Sequence, residues 1–120
     1  MTILNQTIQT AEYLVSEAEG YRSRDVAVVA ATEALVAGTV LAQPTAGGSY
    51  VALDVDATDG TEVAKAVLYE GLKAGQTAER TITARDSEVG LSYLTFPEGI
   101  TQTQTDTAVA ELAAVGIIAR

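Results

Sequence analysis

Ala37-Gly-Thr-Val-Leu-Ala42, Gly48-Ser-Tyr-Val-Ala-Leu-Asp54 and Thr58-Asp-Gly-Thr-Glu-Val-Ala64 follow one another along this chain. Each run is short, rich in β-branched or apolar residues, and punctuated by glycine. Glycine takes up positive φ without a steric penalty, so it reverses the backbone where other residues resist. Runs of this length broken by such turns read as short strands. Ala37-Gly38 turns the chain into a strand from Thr39 to Ala42. Pro44-Thr-Ala-Gly-Gly48 forms a loop, and Tyr50 to Val55 is the next strand. Asp59-Gly60 supplies the positive-φ residue of a tight turn.

Working outward, Val26-Ala-Val-Val-Ala30 is a continuous apolar run suited to a strand buried on both faces. Glu79-Arg-Thr-Ile-Thr-Ala-Arg85 alternates, placing Arg80, Ile82 and Ala84 on one face and Thr81, Thr83 and Arg85 on the other. Val63 to Tyr69 reads as helical on its Ala and Lys content alone. Gly71 and Gly75 bracket a further loop. Val89 to Phe96 is amphipathic at either period and ends at Pro97-Glu-Gly99. Thr101-Gln-Thr-Gln-Thr-Asp-Thr107 is polar and linker-like. Asp106 suits the N-cap of a helix over about 107–115, with Val109, Leu112 and Ala113 on one face and Gly116 just past its end. Ile117-Ile118-Ala119 returns as a final strand. The expectation is a β-dominated, mixed α+β fold: a small single domain of short strands with one C-terminal helix and an extended N-terminal arm.

Residues 1–24 form that arm, and 25–120 the domain. The arm is rich in Thr, Gln and Glu, with isolated apolar residues at Ile3, Ile8, Tyr13, Leu14 and Val15. So little apolar surface cannot bury itself, and the segment is expected to be mobile when free. Glu12 to Ala18 suits a helical turn and Thr7 to Thr10 alternates like a strand, two readings that stand side by side. Gly20-Tyr-Arg-Ser-Arg-Asp25 reads as the hinge.

Composition restricts the chemistry. At 120 residues and 48% hydrophobic content the chain supports one core, but with one Phe, one Met and no Trp that core is built mainly from Ala and Val. Burial is worth about 25 cal/mol per Å² of apolar surface, so small side chains contribute less each. A partner or oligomer would supplement such a core. The net charge of −9 argues against nucleic acid and against an anionic membrane surface. The cations Arg22, Arg24, Lys65, Lys73, Arg80, Arg85 and Arg120 are scattered, with no phosphate-binding cluster. With neither Cys nor His, disulfides, the usual zinc sites and Ser-His-Asp or Cys-His catalysis are excluded. No apolar run of about 18 residues is present, and the N-terminus is unlike a signal peptide.

Asp54-Val-Asp-Ala-Thr-Asp-Gly60 invites a calcium reading and fails it. Counted from Asp54, the glycine of a calcium loop would fall at Asp59 and its bidentate glutamate at Lys65. Asp54 with Asp56, or Glu17 with Glu19, lacks the sugar-stacking aromatics a glycosidase requires. The glycine pairs match no phosphate loop. Neither catalytic nor metal residues are expected, and no cofactor. Tyr13, Tyr21, Tyr50, Tyr69 and Tyr93 are candidate interface anchors, Tyr50 and Tyr69 being equally suited to completing the core. The best functional candidate is the arm: a low-charge, Thr-rich tail can add a strand to an exposed sheet edge on a partner.

The three opening runs, followed by Ala66-Val-Leu68, Arg85 before Glu88-Val89, and Leu112-Ala-Ala-Val-Gly-Ile-Ile-Ala-Arg120, resemble in order and spacing the head decoration proteins of lambda-type tailed bacteriophages. The resemblance spans residues 22–120. It implies a strand within Val63 to Tyr69, against the helical reading. It further implies a non-enzymatic virion protein, made and assembled in the host cytoplasm. This protein would sit as a homotrimer on the outer surface of the expanded head, its arms tied to the major capsid protein, and hold the shell against genome pressure. The arm here lacks the Pro and His that the prototype carries. A tail or baseplate adaptor and a small carbohydrate-binding β domain are the alternative readings.

Overall fold

The computed structural model describes residues 14–17 and 23–120. Among these the chain order is β1 (Leu14–Glu17), β2 (Arg24–Ala30), β3 (Val40–Ala42), β4 (Val51–Ala52), β5 (Ala66–Leu68), β6 (Thr77–Thr83), β7 (Ser87–Val89), a 3-10 turn (Leu91–Tyr93), α1 (Gln102–Ala114) and β8 (Ile117–Ala119). Five strands form one sheet in the order β2-β6-β5-β3-β4, and β1-β7-β8 form a second. The first sheet curls until its ends meet. Tyr50, just before β4, donates its N–H to Val28 and accepts from the Ala30 N–H of β2, both at 2.9 Å. The result is the expected β-dominated α+β fold with a C-terminal helix.

The centre of the molecule is the antiparallel pair β3–β5, with Val40 opposite Val67 and Leu41 opposite Ala66. All residues of both strands are buried. Because side chains alternate along a strand, the pair serves two cores. Leu41, Ala66 and Leu68 point inside the curled sheet, toward Val29, Leu72 and Ile82. Val40, Ala42 and Val67 point outward to Leu53, Val89, Leu94, Leu112 and Ile117, where the helix and second sheet close over them.

Burial on both faces was expected of Val26 to Ala30, and there the structure differs. β2 ends the sheet order. Val29 is buried, while Val26 and Val28 are 67% and 42% exposed. β-branched residues favour any pleated surface, covered or not, so the run specified a strand without specifying its depth. The interior strands are marked instead by alanine, whose small side chain admits a second layer.

The turns agree with the sequence reading at Gly38 and Gly60, with φ of 94° and 103°. Gly60 has a further constraint. A Cβ there would collide with Thr45 Oγ1 and sit 2.5 Å from the Thr45 amide nitrogen. The strand expected from Tyr50 to Val55 is shorter, because Asp54 to Ala57 folds into a turn in which the Ala57 N–H donates to the Asp54 carbonyl at 3.1 Å. Val63 to Tyr69 contributes a strand, not a helix, since pairing with β3 outweighs the helix propensity of Ala and Lys. The Val89 to Phe96 stretch divides between the end of β7 and the 3-10 turn.

The helix begins five residues earlier than the Asp106 cap would have it. Thr101 is the N-cap: its hydroxyl accepts from the Gln104 N–H at 3.1 Å, and the Gln104 side chain accepts from the Thr101 N–H at 3.0 Å. This reciprocal box satisfies two of the donors left open at a helix start. Thr105 and Thr107 donate their hydroxyls to the carbonyls four residues back, both at 3.0 Å, so a threonine-rich stretch is accommodated as helix. Asp106 accepts from the Gln102 side chain at 2.8 Å. The buried face is Ala108 and Leu112, with Val109 half-buried and Ala113 exposed. Gly116 follows the helix at φ 90°, in the role expected of it. Thr101→Ala should lower unfolding free energy by about 1 kcal/mol in urea titrations, and Asp106→Ala by less than half of that. Equal losses, or a larger one at Asp106, would contradict the observed cap.

Candidate functional site

Two of the five arm positions fall within the described residues, and both lie on β1. This strand pairs antiparallel with β7, Leu14 opposite Val89, Ser16 opposite Glu88 and Glu17 opposite Ser87, with the register shifting between Leu14 and Ser16. Leu14 is half-buried and packs on the outer core beside Val89 and Ile117. Val15, at the irregularity, is 65% exposed. Ile3, Ile8 and Tyr13 lie outside the described residues, as do the Thr7 to Thr10 alternation and Gly20 to Arg22 of the hinge. Of the stretch Glu12 to Ala18, residues 14–17 are strand. Downstream, Ser23 is buried, and its carbonyl accepts from the N–H groups of Ala84 and Arg85 at 2.8 and 3.3 Å. That pair of bonds fixes the entry into β2.

β8 runs parallel to β7 on its other side, Glu88 facing Ile118. Arg120 pairs with Glu88 at 3.0 Å on this sheet. Leu91, Tyr93, Val115 and Ile118, in or next to β7, α1 and β8, are exposed large apolar side chains, as Val15 is on β1. The pairing of β1 was not legible, because its partner β7 lies at least seventy residues away in the chain.

A second concave feature lies across β2 and β6. Arg24, Asp25, Val26, Tyr69 and Thr81 line a groove of about 390 Å³. The Arg24 guanidinium sits 4.6 Å from the centre of the Tyr69 ring, within cation–π range. Asp25 forms an ion pair with Arg85 in which both side chains are roughly half exposed, so its contribution to stability is small, about 0–1 kcal/mol. Tyr69 therefore belongs to a surface groove, whereas Tyr50 packs on the inner core. The sequence reading placed Arg24 in the hinge and Val26 in the strand, whereas β2 holds both. Their convergence with Tyr69 was not legible.

The acidic turn is organised by its own backbone. The Asp54 side chain accepts from the Asp56 N–H at 3.1 Å. Asp59 accepts from the Thr61 N–H at 3.1 Å and from its hydroxyl at 2.6 Å. Those two bonds favour the carboxylate and hold the Asp59 pKa below its ordinary value, the hydroxyl bond having the larger effect. Glu111 of the helix accepts from the Ala64 N–H at 3.0 Å, tying α1 to the segment leading into β5. Among the described residues no cluster of three or more His, Cys, Asp or Glu is poised around a metal, and no helix is long and apolar enough to cross a membrane.

The family model described as bacteriophage lambda head decoration protein D matches residues 3–117. The match extends through β1 and into the segment before it, beyond the span of the sequence resemblance. A search of curated proteins found no match.

Two measurements check this geometry. A folded-state pKa below the unfolded one gives a stabilisation present above the unfolded value and lost as pH falls through the folded one. Asp59 should therefore weaken the fold only on the acid limb, below about pH 4. In Thr61→Val its carboxyl titration, followed by NMR, should move upward toward the ordinary value; an unmoved midpoint would refute the assignment. Separately, deleting residues 1–13 should leave the thermal midpoint nearly unchanged, whereas deleting 1–20 should lower it clearly by removing β1. Leu14→Ala should cost about 1–2 kcal/mol, below the range for fully buried leucines.

Proposed function

The chain belongs to the bacteriophage lambda head decoration protein D family, and its role is structural, on the phage head; from that premise we propose that it cements the expanded shell from outside. The family match over residues 3–117 carries this reading. In it, three copies occupy each local three-fold position as a homotrimer and bridge neighbouring capsomers, without catalysis of their own. Assembly onto heads takes place in the host cytoplasm.

The arm, residues 1–24, supplies the contact with the major capsid protein. Leu14 serves as its root, packed on the outer core, while Ile3, Ile8, Tyr13 and the exposed Val15 face the shell. Thirteen residues precede Leu14, and such a length can span at most about 45 Å. Residues 1–11 carry no charged side chain, which lets them approach an edge strand on the capsid without electrostatic opposition.

Cementing follows from linkage and valency. A protein that binds the assembled shell and not its separated subunits stabilises the shell by its binding free energy. One arm makes a modest contact. Three arms on one rigid trimer act at high effective concentration, so avidity exceeds any single contact. Mass measurement on isolated heads should find copies in multiples of three per site, and DNA-filled decorated heads should survive heating that bursts undecorated ones. Deleting residues 1–13 should abolish head binding with the domain still folded. Equal survival of filled heads with and without the protein would remove the cementing role.

A further inference from the structure

Asp59-Gly60 is the one Asp-Gly pair in the chain, and no Asn-Gly pair accompanies it. Such a pair carries its own reaction. The Gly60 amide nitrogen can attack Cγ of the Asp59 carboxyl, forming an N–Cγ bond while the amide proton and the carboxyl OH leave as one water. The product is a five-membered succinimide. Water then opens the ring at either carbonyl, giving back aspartate or an isoaspartyl link in which the main chain runs through Cγ. Glycine is the favourable second residue because it places no Cβ beside the attacking nitrogen. No oxidant or other co-reactant is required.

In the folded chain both reacting groups are occupied. The electrophile must be the carboxylic acid, since a carboxylate repels the incoming nitrogen and has no OH to lose. The Asp59 side chain accepts from the Thr61 N–H at 3.1 Å and from its hydroxyl at 2.6 Å, bonds that favour the ionised form. The nucleophile is held as well: the Gly60 N–H donates to Glu62 Oε1 at 2.7 Å. Attack would break a charge-assisted bond and build negative charge on nitrogen beside a second carboxylate. The main chain is also clamped. The Asp59 carbonyl accepts from the Thr45 N–H at 2.8 Å, and Gly60, at φ 103°, lies so close to Thr45 that a Cβ has no room.

Asp59 is nonetheless exposed, so water for the hydrolysis is at hand. An isoaspartyl link would add one methylene to the main chain where it packs on Thr45. The segment beyond leads directly into the centre of the molecule: the Ala64 N–H donates to Glu111, and Ala66 opens β5, whose residues are all buried. Extra length at residue 59 would displace that strand.

We propose that Asp59-Gly60 is a latent isoaspartate site, kept unreactive by Thr61 on the carboxylate and Glu62 on the amide, and reached only when this turn opens locally. The site belongs to the fold and does not depend on where the protein binds.

The test follows the full-length chain in heavy-oxygen water at neutral pH, since each hydrolysis of the ring installs one heavy oxygen at residue 59. Peptide mapping then counts the label and separates the isoaspartyl form by chromatography. Unfolding in urea should speed labelling at least about tenfold. In the folded chain, Thr61→Val and Glu62→Gln should each speed it about threefold to tenfold, the factor of one hydrogen bond. Asp59→Glu, which cannot close a five-membered ring, should end labelling there. Thr101→Ala separates local from global effects, because it weakens the helix cap without touching the turn; its labelling should stay within about twofold of the original chain. A folded chain that labels as fast as the unfolded one overturns the proposal, as does indifference to both turn substitutions. Acceleration by Thr101→Ala equal to that by Thr61→Val would overturn it too. So would a slower reaction in Glu62→Gln, which would make Glu62 a base for the attack.

Discussion

The pairing of β3 with β5 is the constraint on which the other elements depend. Two strands of three residues each, all buried, separate an inner core inside the curled sheet from an outer core under the helix. Neither core is large enough to stand alone, because both are built from Val, Ala, Leu and Ile with almost no aromatic bulk. Sharing a wall means that the same backbone hydrogen bonds organise both. It also explains the alanines at 42, 64 and 66: larger side chains there would force the layers apart, and overpacking a tight interior is itself destabilising. The composition that makes each residue's burial weak is thus the one that permits two cores in so short a chain.

From that wall outward, the molecule orders itself toward its second sheet. β7 is held between β1 and β8, and α1 connects β7 to β8 as a parallel crossover. Glu111 extends the connection back to Ala64, beside β5. A load arriving at β1 therefore passes through β7 to the outer core, with the helix and the central strands behind it. Under the anchoring proposed for residues 1–24, this path would deliver force to packed side chains, which resist deformation because protein interiors are dense.

What could be read from the chain followed the range of the interactions involved. Gly38, Gly60 and Gly116 were legible because positive φ is a property of the residue itself. The final strand at Ile117 and a C-terminal helix were legible from local pattern. The helix start was missed although its signal, Thr101 with Gln104 three residues later, is local; the polar run masked it, and Asp106 offered a competing cap. Burial of β2 against β3 and β5 was misassigned because strand-forming tendency and depth are different quantities, and depth depends on which strands lie outermost. Only the resemblance to a family placed β5 correctly. For the site, composition set residues 1–24 apart as an arm, whereas Leu14–Glu17 and Arg24 are strand residues of the two sheets, and the docking of Leu14 beside Val89 and the meeting of Arg24 with Tyr69 arise from chain positions far apart. No window along the sequence contains them.

Charge completes the account. Among the described residues, Asp54, Asp59 and Glu62 are engaged by neighbouring N–H or hydroxyl groups, not by cations. Satisfying carboxylates in this way leaves their net charge undiminished, so the surface remains acidic while its turns are rigid. Such a surface repels its own copies at long range and lets close association occur only where the local sign differs. On a phage head, general acidity of this kind discourages clumping between neighbouring particles.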